Sequence, residues 1–490
     1  MKENPSKEEI INQAIKFHLQ GNISEATKYY QFCINNGFED HKVFSNYGAI
    51  LKSIGKLQEA EFYLRKAIKL NPNYENAHSN LSITLRDLGK LEEAEFYVRK
   101  AIELKPDFPD AYSNLGVILK TLGKLEEAEN SYRKAIELKP NFENALSNLG
   151  NILRELGKLE DAEFYLRKAI ELKPNFENAL SNLGNILREL GKLEEAEFYT
   201  RKAIQLNPNE SINHFNLGNI LRELGKLEEA ENSYHKSIKL KPNWLSCFFY
   251  ADCIYKKRKF EIVKNQLLEA KSISIKNHQK SYINSALEIT ELAKNSFDGN
   301  KKFEFTKKSK SLDNKKNRLI FYRKSDSDLL NYLYKIKNRK LNQTIDARYG
   351  KGFCSQDLHF FDDQSPIISK LANDLERICK VKLGLEKIMI CESFFNIFQS
   401  GYSAGAKSHN HIGKRDIPFG LRFHKYSLIY YLEIGDQSGI NPGKLKLFEP
   451  YEEILPANNM LIIIDADRKH SVSYCGEKDR VVLSANFFGF

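Results

Sequence analysis

The sequence predicts an α-helical solenoid followed by an α+β domain built around a jelly-roll barrel. Glycine recurs every 34 residues (Gly21, Gly55, Gly89, Gly123, Gly157, Gly191, Gly225), and proline does the same from Pro72 to Pro242. A fixed period of that size marks stacked supersecondary units. From Ile388 onwards the helical period gives way to short apolar runs broken by turns, which read as strands. Three histidines, His409, His411 and His470, fall among those runs. Two at i,i+2 and one distant in sequence are what a small barrel can bring to one metal.

The whole chain sets the bounds. At 490 residues it exceeds one ordinary core, so two or more domains are expected. Seventy-five Lys and Arg against 64 Asp and Glu leave a formal charge of +11, mild for this length. That permits an acidic partner without requiring one. Seven scattered cysteines form no CxxC pair, which argues against a disulfide framework or a thiolate zinc site. The N-terminus has no apolar h-region, and no apolar run approaches a membrane span. A cytoplasmic protein with no membrane association is expected.

Inside each 34-residue unit two helices are visible. Across 143–174, Leu146, Leu149, Ile152 and Leu153 form one apolar stripe, which Gly157 ends. Leu159, Ala162, Leu166, Ala169 and Ile170 form a second, followed by Pro174. The pattern of Gly150, Ala162, Ala169 and Pro174, repeated in register over residues 7–275, resembles the tetratricopeptide repeat. Seven repeats are clear. In a degenerate eighth, Lys259 stands where the next glycine is due. Segments 141–174 and 175–208 differ at four positions only: Asp161/Glu195, Leu166/Thr200, Glu171/Gln205 and Lys173/Asn207. No repeat buries its apolar face alone, so the array is expected to stack and offer a concave surface.

One polar column runs through the first helices: Asn46, Asn80, Asn114, Asn148, Asn182 and Asn216, with Asn151, Asn185 and Asn219 as a shorter second. Asparagine is a weak helix former, so its recurrence needs a reason. One reading is a peptide-binding ladder of amides; it resembles the asparagine ladder in the repeats of the O-linked N-acetylglucosamine transferase. The other is a packing residue, copied by duplication, that bonds between neighbouring repeats. The Glu-Glu-Ala-Glu segments read as solvated faces and helix-start acids.

Residues 276–317 read as a capping helix (from about Ser281 to Asn295) and a basic linker containing Lys301-Lys302, Lys307-Lys308 and Lys315-Lys316. A solvated linker accounts for these charges better than a nucleic-acid contact does. Residues 318–490 form the final domain. Ser365 to Cys379 is a helix with Ile367, Ile368, Leu371, Leu375 and Ile378 on one face. In the last strand Arg480, Ser484 and Asn486 share a face, and Val481, Leu483, Ala485 and Phe487 take the other. One polar face in an apolar strand suggests a lined cavity, to which Asn396 also belongs.

The order His-x-His, a Tyr-Tyr-Leu strand, an apolar strand, His-x-Val and then Arg ten residues later resembles the 2-oxoglutarate/Fe(II)-dependent dioxygenases. It is nearest to a group fused to tetratricopeptide arrays. The resemblance spans about 315–490, including Asp346 to Gly350, and implies a double-stranded β-helix (jelly-roll) core. It implies that His409 and His470 ligate Fe(II), and that Arg480 binds the distal carboxylate of 2-oxoglutarate. The usual facial triad has two histidines and a carboxylate. Here the third ligand is either His411 or the nearby Asp416. Tyr402, Tyr430 and Asn396 are candidates for the rest of the co-substrate pocket. Asp465 and Asp467 either support His470 or shape the turn before it.

The leading expectation is an oxygenase that hydroxylates a protein or peptide recruited by the repeats. The alternative is a non-enzymatic repeat scaffold carrying a degenerate barrel. A glycosyltransferase-associated repeat protein fits less well, because no Gly-rich phosphate turn follows a strand.

Overall fold

A computed structural model describes residues 6–298, 318–323, 327–336, 338–340, 353–355, 359–363, 365–398, 404–435, 437, 443–474 and 478–490. It divides into two compact units, 1–208 and 209–490. Tyr402, the segment 346–350 and most of the basic linker lie outside the described residues. Among the described residues no helix is long and apolar enough to cross a membrane.

The helical part runs from Lys7 to Asp298 in seventeen helices. Sixteen form eight pairs, and the seventeenth follows the degenerate repeat, where the sequence pattern places a capping helix. One pair shows how the sequence builds the rest. Helix α1 (Glu143–Glu155) presents Leu146, Leu149, Ile152 and Leu153 to the core, all fully buried. It ends at Gly157, which adopts a left-handed φ of 74°. The Gly157 and Lys158 amides donate to the Arg154 and Leu153 carbonyls at 3.0 and 2.8 Å, which satisfies the last turn. The chain then enters α2 (Leu159–Leu172). A Cβ on Gly150 would lie 2.7 Å from Leu166 Cγ, so the glycine in α1 makes room for the leucine in α2. In the degenerate eighth repeat the left-handed residue is Arg258, at φ 56°.

The glutamate that follows the alanine in these segments, and in the related Gln-Glu-Ala-Glu and Glu-Asp-Ala-Glu, is not on a solvated face in four successive repeats. Glu61, Glu95, Glu129 and Glu163 are mostly buried and accept from an arginine four residues on, at 2.8 to 2.9 Å. Each also accepts from the lysine 29 residues on, Lys90, Lys124, Lys158 or Lys192, at 2.7 to 2.9 Å. Arg65, Arg133 and Arg167 reach further, to the hydroxyls of Tyr97, Tyr165 and Tyr199 in the next repeat. These acids therefore tie neighbouring repeats together. The period made the column visible, but not its inward orientation.

Burial alone would raise these four carboxyls; the lysine and arginine bonds outweigh it and hold them below the ordinary glutamate value. The unfolded chain thus binds protons first as pH falls. The stabilisation is intact above the unfolded value of about 4.3 and is lost as pH drops through the lower folded values. We expect the urea midpoint of the helical transition, followed by circular dichroism, to hold from pH 7 to 5 and fall below pH 4. Replacing all four by glutamine should lower the midpoint at pH 7 and flatten that slope.

In the second unit, two antiparallel sheets follow the last helices. The larger holds seven strands: β1 (Arg318–Tyr322), β2 (Asn338–Lys340), β3 (Phe353–Ser355), β4 (Ile388–Phe398), β6 (Lys425–Glu433), β9 (Met460–Asp465) and β11 (Arg480–Gly489). Their order is β1-β9-β6-β11-β4-β3-β2. The smaller holds β5 (Ala404–His409), β7 (Leu445–Leu447), β8 (Glu452–Ile454) and β10 (His470–Tyr474), in the order β5-β10-β7-β8.

Strand alternation divides the larger sheet into two faces. Leu428, Tyr430, Leu461, Ile463, Val481 and Leu483 pack on α4 (Ser327–Lys335) and α5 (Pro366–Leu383). Ile429, Tyr431, Ile462, Ile464 and Val482 meet Leu445, Leu447 and Tyr474 of the smaller sheet. The terminal strand therefore faces as its sequence predicts.

Within this unit one helix of the helical part packs on the larger sheet and another on the segment Pro418–His424 that precedes β6. In α3 (Asn277–Asp298), the ring of Tyr282 lies 5.2 Å from that of Phe488. In the helix Trp244–Tyr255, Asp252 Oδ1 accepts from the Phe419 amide at 2.9 Å. Phe419 holds a φ of 55° and sets its ring against Phe248 and Tyr255.

Candidate metal centre

The pairing of β5 with β10 brings His409 opposite His470. His411 lies just beyond the end of β5, outside the strand geometry that the i,i+2 spacing suggests. Its amide donates to the Ala466 carbonyl at 2.8 Å, and Lys425 Nζ donates to its carbonyl at 2.8 Å. These two bonds turn its ring back towards the other histidines. The three ring centroids lie 4.5 to 5.0 Å apart. His411 Nε2 is 3.3 Å from His470 Nε2, and one ligand nitrogen from each of the three lies within 4.8 Å of the others. His411 and His470 are both 5% exposed.

Burial pushes the pKa of His470 down to about 4, and His409 beside it adds to the effect. The ring is therefore neutral at pH 7. Its Nδ1 lies 3.2 Å from the Arg468 carbonyl, which places the proton on Nδ1 and turns the Nε2 lone pair towards His411 Nε2, 3.3 Å away. Asp465 shapes the preceding turn, its carbonyl accepting from the Arg468 amide at 3.0 Å.

Asp416 is not part of this cluster. It is fully buried, and its Oδ2 accepts from Lys425 Nζ at 2.9 Å and the Gly413 amide at 2.6 Å. Burial alone would drive Lys425 down, but Glu392 and Asp416 beside it hold its pKa up, so it stays charged. This buried pair is absent from the sequence reading. The only hint was a lysine opening the apolar run that becomes β6.

A small cavity of about 40 Å³ touches all three histidines. Asn396 lines it, as expected, and so does Ser484. Tyr430 does not: alternation in β6 turns it towards α5, where Arg323 lies 3.4 Å from its hydroxyl. The next residue, Tyr431, lines the cavity instead. Arg480 is fully buried, on the same strand face as Val482 and Ser484. Its Nε and Nη1 donate to the carbonyls of Ile434 and Gly443 at 2.9 and 2.6 Å, and its guanidinium stacks on Tyr474 at 4.2 Å. Gly443 is required there, because its φ is 74° and a Cβ would strike the guanidinium.

The asparagine column divides. Asn80 and Asn114 donate to Ser45 and Ser79 of the preceding repeat at 3.4 Å, and Asn46 donates to the Tyr30 hydroxyl at 3.1 Å. The bond between neighbouring repeats is thus real, and its partner is a serine column one residue before the asparagines that the sequence reading passed over. Asn80, Asn114 and Asn148 also line a groove of about 550 Å³ with Phe108 and Phe142. Asn182 is partly buried, and Asn216 is buried within the second unit.

Tetratricopeptide repeat family models match residues 109–142, 143–176, 177–210 and 214–243, and a second such model matches 55–118. No curated protein matches the chain. Similar solved structures include PilF of Pseudomonas aeruginosa, 24% identical over 40% of this chain and 90% of that one, with a TM-score of 0.38. YrrB, described as a tetratricopeptide protein with an unusual peptide-binding site, is 24% identical over 40% of this chain and 97% of that one, with a TM-score of 0.34. A chain of the Cut9–Hcn1 hetero-tetramer is 18% identical over 58% of this chain and 56% of that one, with a TM-score of 0.46. The 34-residue period, the helix pairs and the family matches together make the N-terminal part of this chain a tetratricopeptide repeat array.

Proposed function

We propose that the chain is an Fe(II)- and 2-oxoglutarate-dependent oxygenase whose repeat array recruits a protein or peptide substrate. The observation that carries the reading is the convergence of His409, His411 and His470. Three imidazoles suit a first-row divalent metal, and burial keeps His470 neutral while the Arg468 carbonyl orients it. His411 is the third ligand in this reading, because Asp416 is committed to Lys425. The two sheets are read as the double-stranded β-helix of the oxygenase family.

Bound Fe(II) with 2-oxoglutarate would activate O2, the oxidant: one oxygen atom would go to 2-oxoglutarate as it is converted to succinate and CO2, and the other would hydroxylate an unactivated C–H bond of the substrate. The protein's own residues do the rest. The Arg468 carbonyl keeps the His470 proton on Nδ1. Arg480 is not among the residues lining the cavity, and to meet the distal carboxylate of the co-substrate its guanidinium would exchange its bonds to the Ile434 and Gly443 carbonyls for that contact. Phe394, Phe398, Ile429 and Val482 exclude water from the histidines, while Asn396 and Ser484 supply the polar contacts. The 40 Å³ cavity is smaller than 2-oxoglutarate, so this reading requires wall side chains to rotate when it binds. The groove along Asn80, Asn114 and Asn148 is the surface proposed to hold an extended peptide, its amides adding bonds to the peptide backbone.

A second reading is favoured by the family matches, which lie within residues 55–243: a repeat scaffold for protein–protein interaction, with a sheet domain that performs no oxidation. Anaerobic titration of the full chain with Fe(II) and 2-oxoglutarate separates the two. A visible charge-transfer band in the wild type that disappears in His470→Ala is the oxygenase result. No band, with no iron retained by either protein, leaves the scaffold.

A further inference from the structure

A second group of ligand-type side chains lies away from the three histidines. His278 sits in the first turn of α3, and His359 and Asp362 lie in the segment leading to α5. One ligand atom from each lies within 4.8 Å of the other two. His278 Nδ1 is 3.8 Å from Asp362 Oδ2, and His278 is 7% exposed.

The two imidazoles are stacked face to face, 3.5 Å between centroids and 0° between planes. Aromatic rings favour offset or edge-on contacts, and two protonated imidazoles would repel. A metal lies in the plane of each imidazole that binds it, so one of the two parallel rings would turn for both lone pairs to converge on a cation beside the Asp362 carboxylate, and that turn would relieve the stacked contact. A cavity of about 290 Å³ adjoins the group and gives a cation access; Glu376 and Glu392 line it, the first paired with Lys380 at 2.8 Å and the second 3.6 Å from Lys425 Nζ.

Both halves of the group are held in place without a metal. His359 bridges Ser393 of β4 through the backbone, and Ser393 Oγ accepts from the Phe361 amide at 2.8 Å. Gln279 caps the start of α3 by accepting from the Ile275 and Lys276 amides at 3.2 and 3.4 Å. Lys387 next to β4 donates to Glu288 of α3 at 2.6 Å.

We propose that His278, His359 and Asp362 form a zinc site that fastens the start of α3 to β4. Two imidazoles and a carboxylate match the ligand types zinc prefers, and the cavity can supply water for a fourth position. The histidines are about 80 residues apart in sequence, so the metal closes a long loop whose entropy would otherwise oppose folding.

The test uses the full chain, stripped of metal and titrated with Zn(II) alone. The His409→Ala/His470→Ala background removes the other centre, and one equivalent should still bind. Adding His278→Ala should abolish that equivalent. Asp362→Asn, which preserves side-chain size, should weaken it at least about tenfold. Co(II) in the same background should give the visible absorption of a four-coordinate site, lost with His278→Ala. Chelator should lower the melting temperature of the background protein but not of its His278→Ala derivative. If zinc in the background is unchanged by Asp362→Asn and by His359→Gln, or if the background binds none, the proposal is overturned. If wild type binds a single equivalent that His278→Ala removes, the three-histidine reading fails and this one stands. Should His278→Ala not fold, Asp362→Asn decides alone.

Discussion

Lys425→Met should destabilise the second unit by about 3–5 kcal/mol, the cost of leaving a buried charge without its partner. Lys425 and Asp416 are each 1% exposed at the side chain, and Lys425 also bonds the His411 carbonyl. The methionine fills the stem's volume but leaves the Asp416 carboxylate and the His411 carbonyl without that ammonium. Urea unfolding of the full chain, read through the near-ultraviolet signal of the sheet tyrosines, measures the loss. Asp416→Asn/Lys425→Met should recover at least half of it, because the double variant removes both charges. A double variant as unstable as the single one would show that Lys425 acts through His411 and not through Asp416. A metal held by the three histidines should bind about 10–100-fold more weakly in either variant that lacks the lysine.

Thr200→Leu should stabilise the repeat array by about 2 kcal/mol. The duplicated segments supply the control. Leu166 and Thr200 occupy equivalent places, each fully buried opposite a glycine, Gly150 or Gly184. Leu166 fills its place with hydrocarbon. Thr200 has less of it, and its Oγ1 has no hydrogen-bond partner among the described residues. The substitution removes a buried unsatisfied hydroxyl, worth about 1–3 kcal/mol, and adds buried methyl surface at about 0.8 kcal/mol per carbon. The reverse change, Leu166→Thr, should cost about 3 kcal/mol. Both are read from denaturation midpoints by far-ultraviolet circular dichroism. A destabilising Thr200→Leu would mean that the two copies pack differently despite differing at four positions.

The helical half was legible because its signals are local and repeated. Gly157 ends α1 in its own turn, and seven glycines at one spacing leave little freedom in reading them. The faces of β11 were legible for the same reason, as alternation is a property of one strand. What the sequence hid depends on partners distant in the chain. Tyr430 and Tyr431 are adjacent and chemically alike, and only the placement of α5 decides which reaches the cavity. Asp416 was a plausible ligand by proximity to His411; the lysine that occupies it comes from the start of another strand. The Glu163 column was visible as a pattern, but the lysine 29 residues on that turns it inward belongs to the next repeat.

That column has a consequence for how such a chain changes length. Each glutamate is satisfied by its own arginine and by the lysine of the following unit, always at the same offsets. A whole 34-residue cassette can be copied or excised, and every junction is rebuilt from identical parts. Removing fewer residues breaks the offsets at once and strands a carboxylate in the seam. The array thus grows or shrinks in whole quanta, and segments 141–174 and 175–208 carry the imprint of one such step.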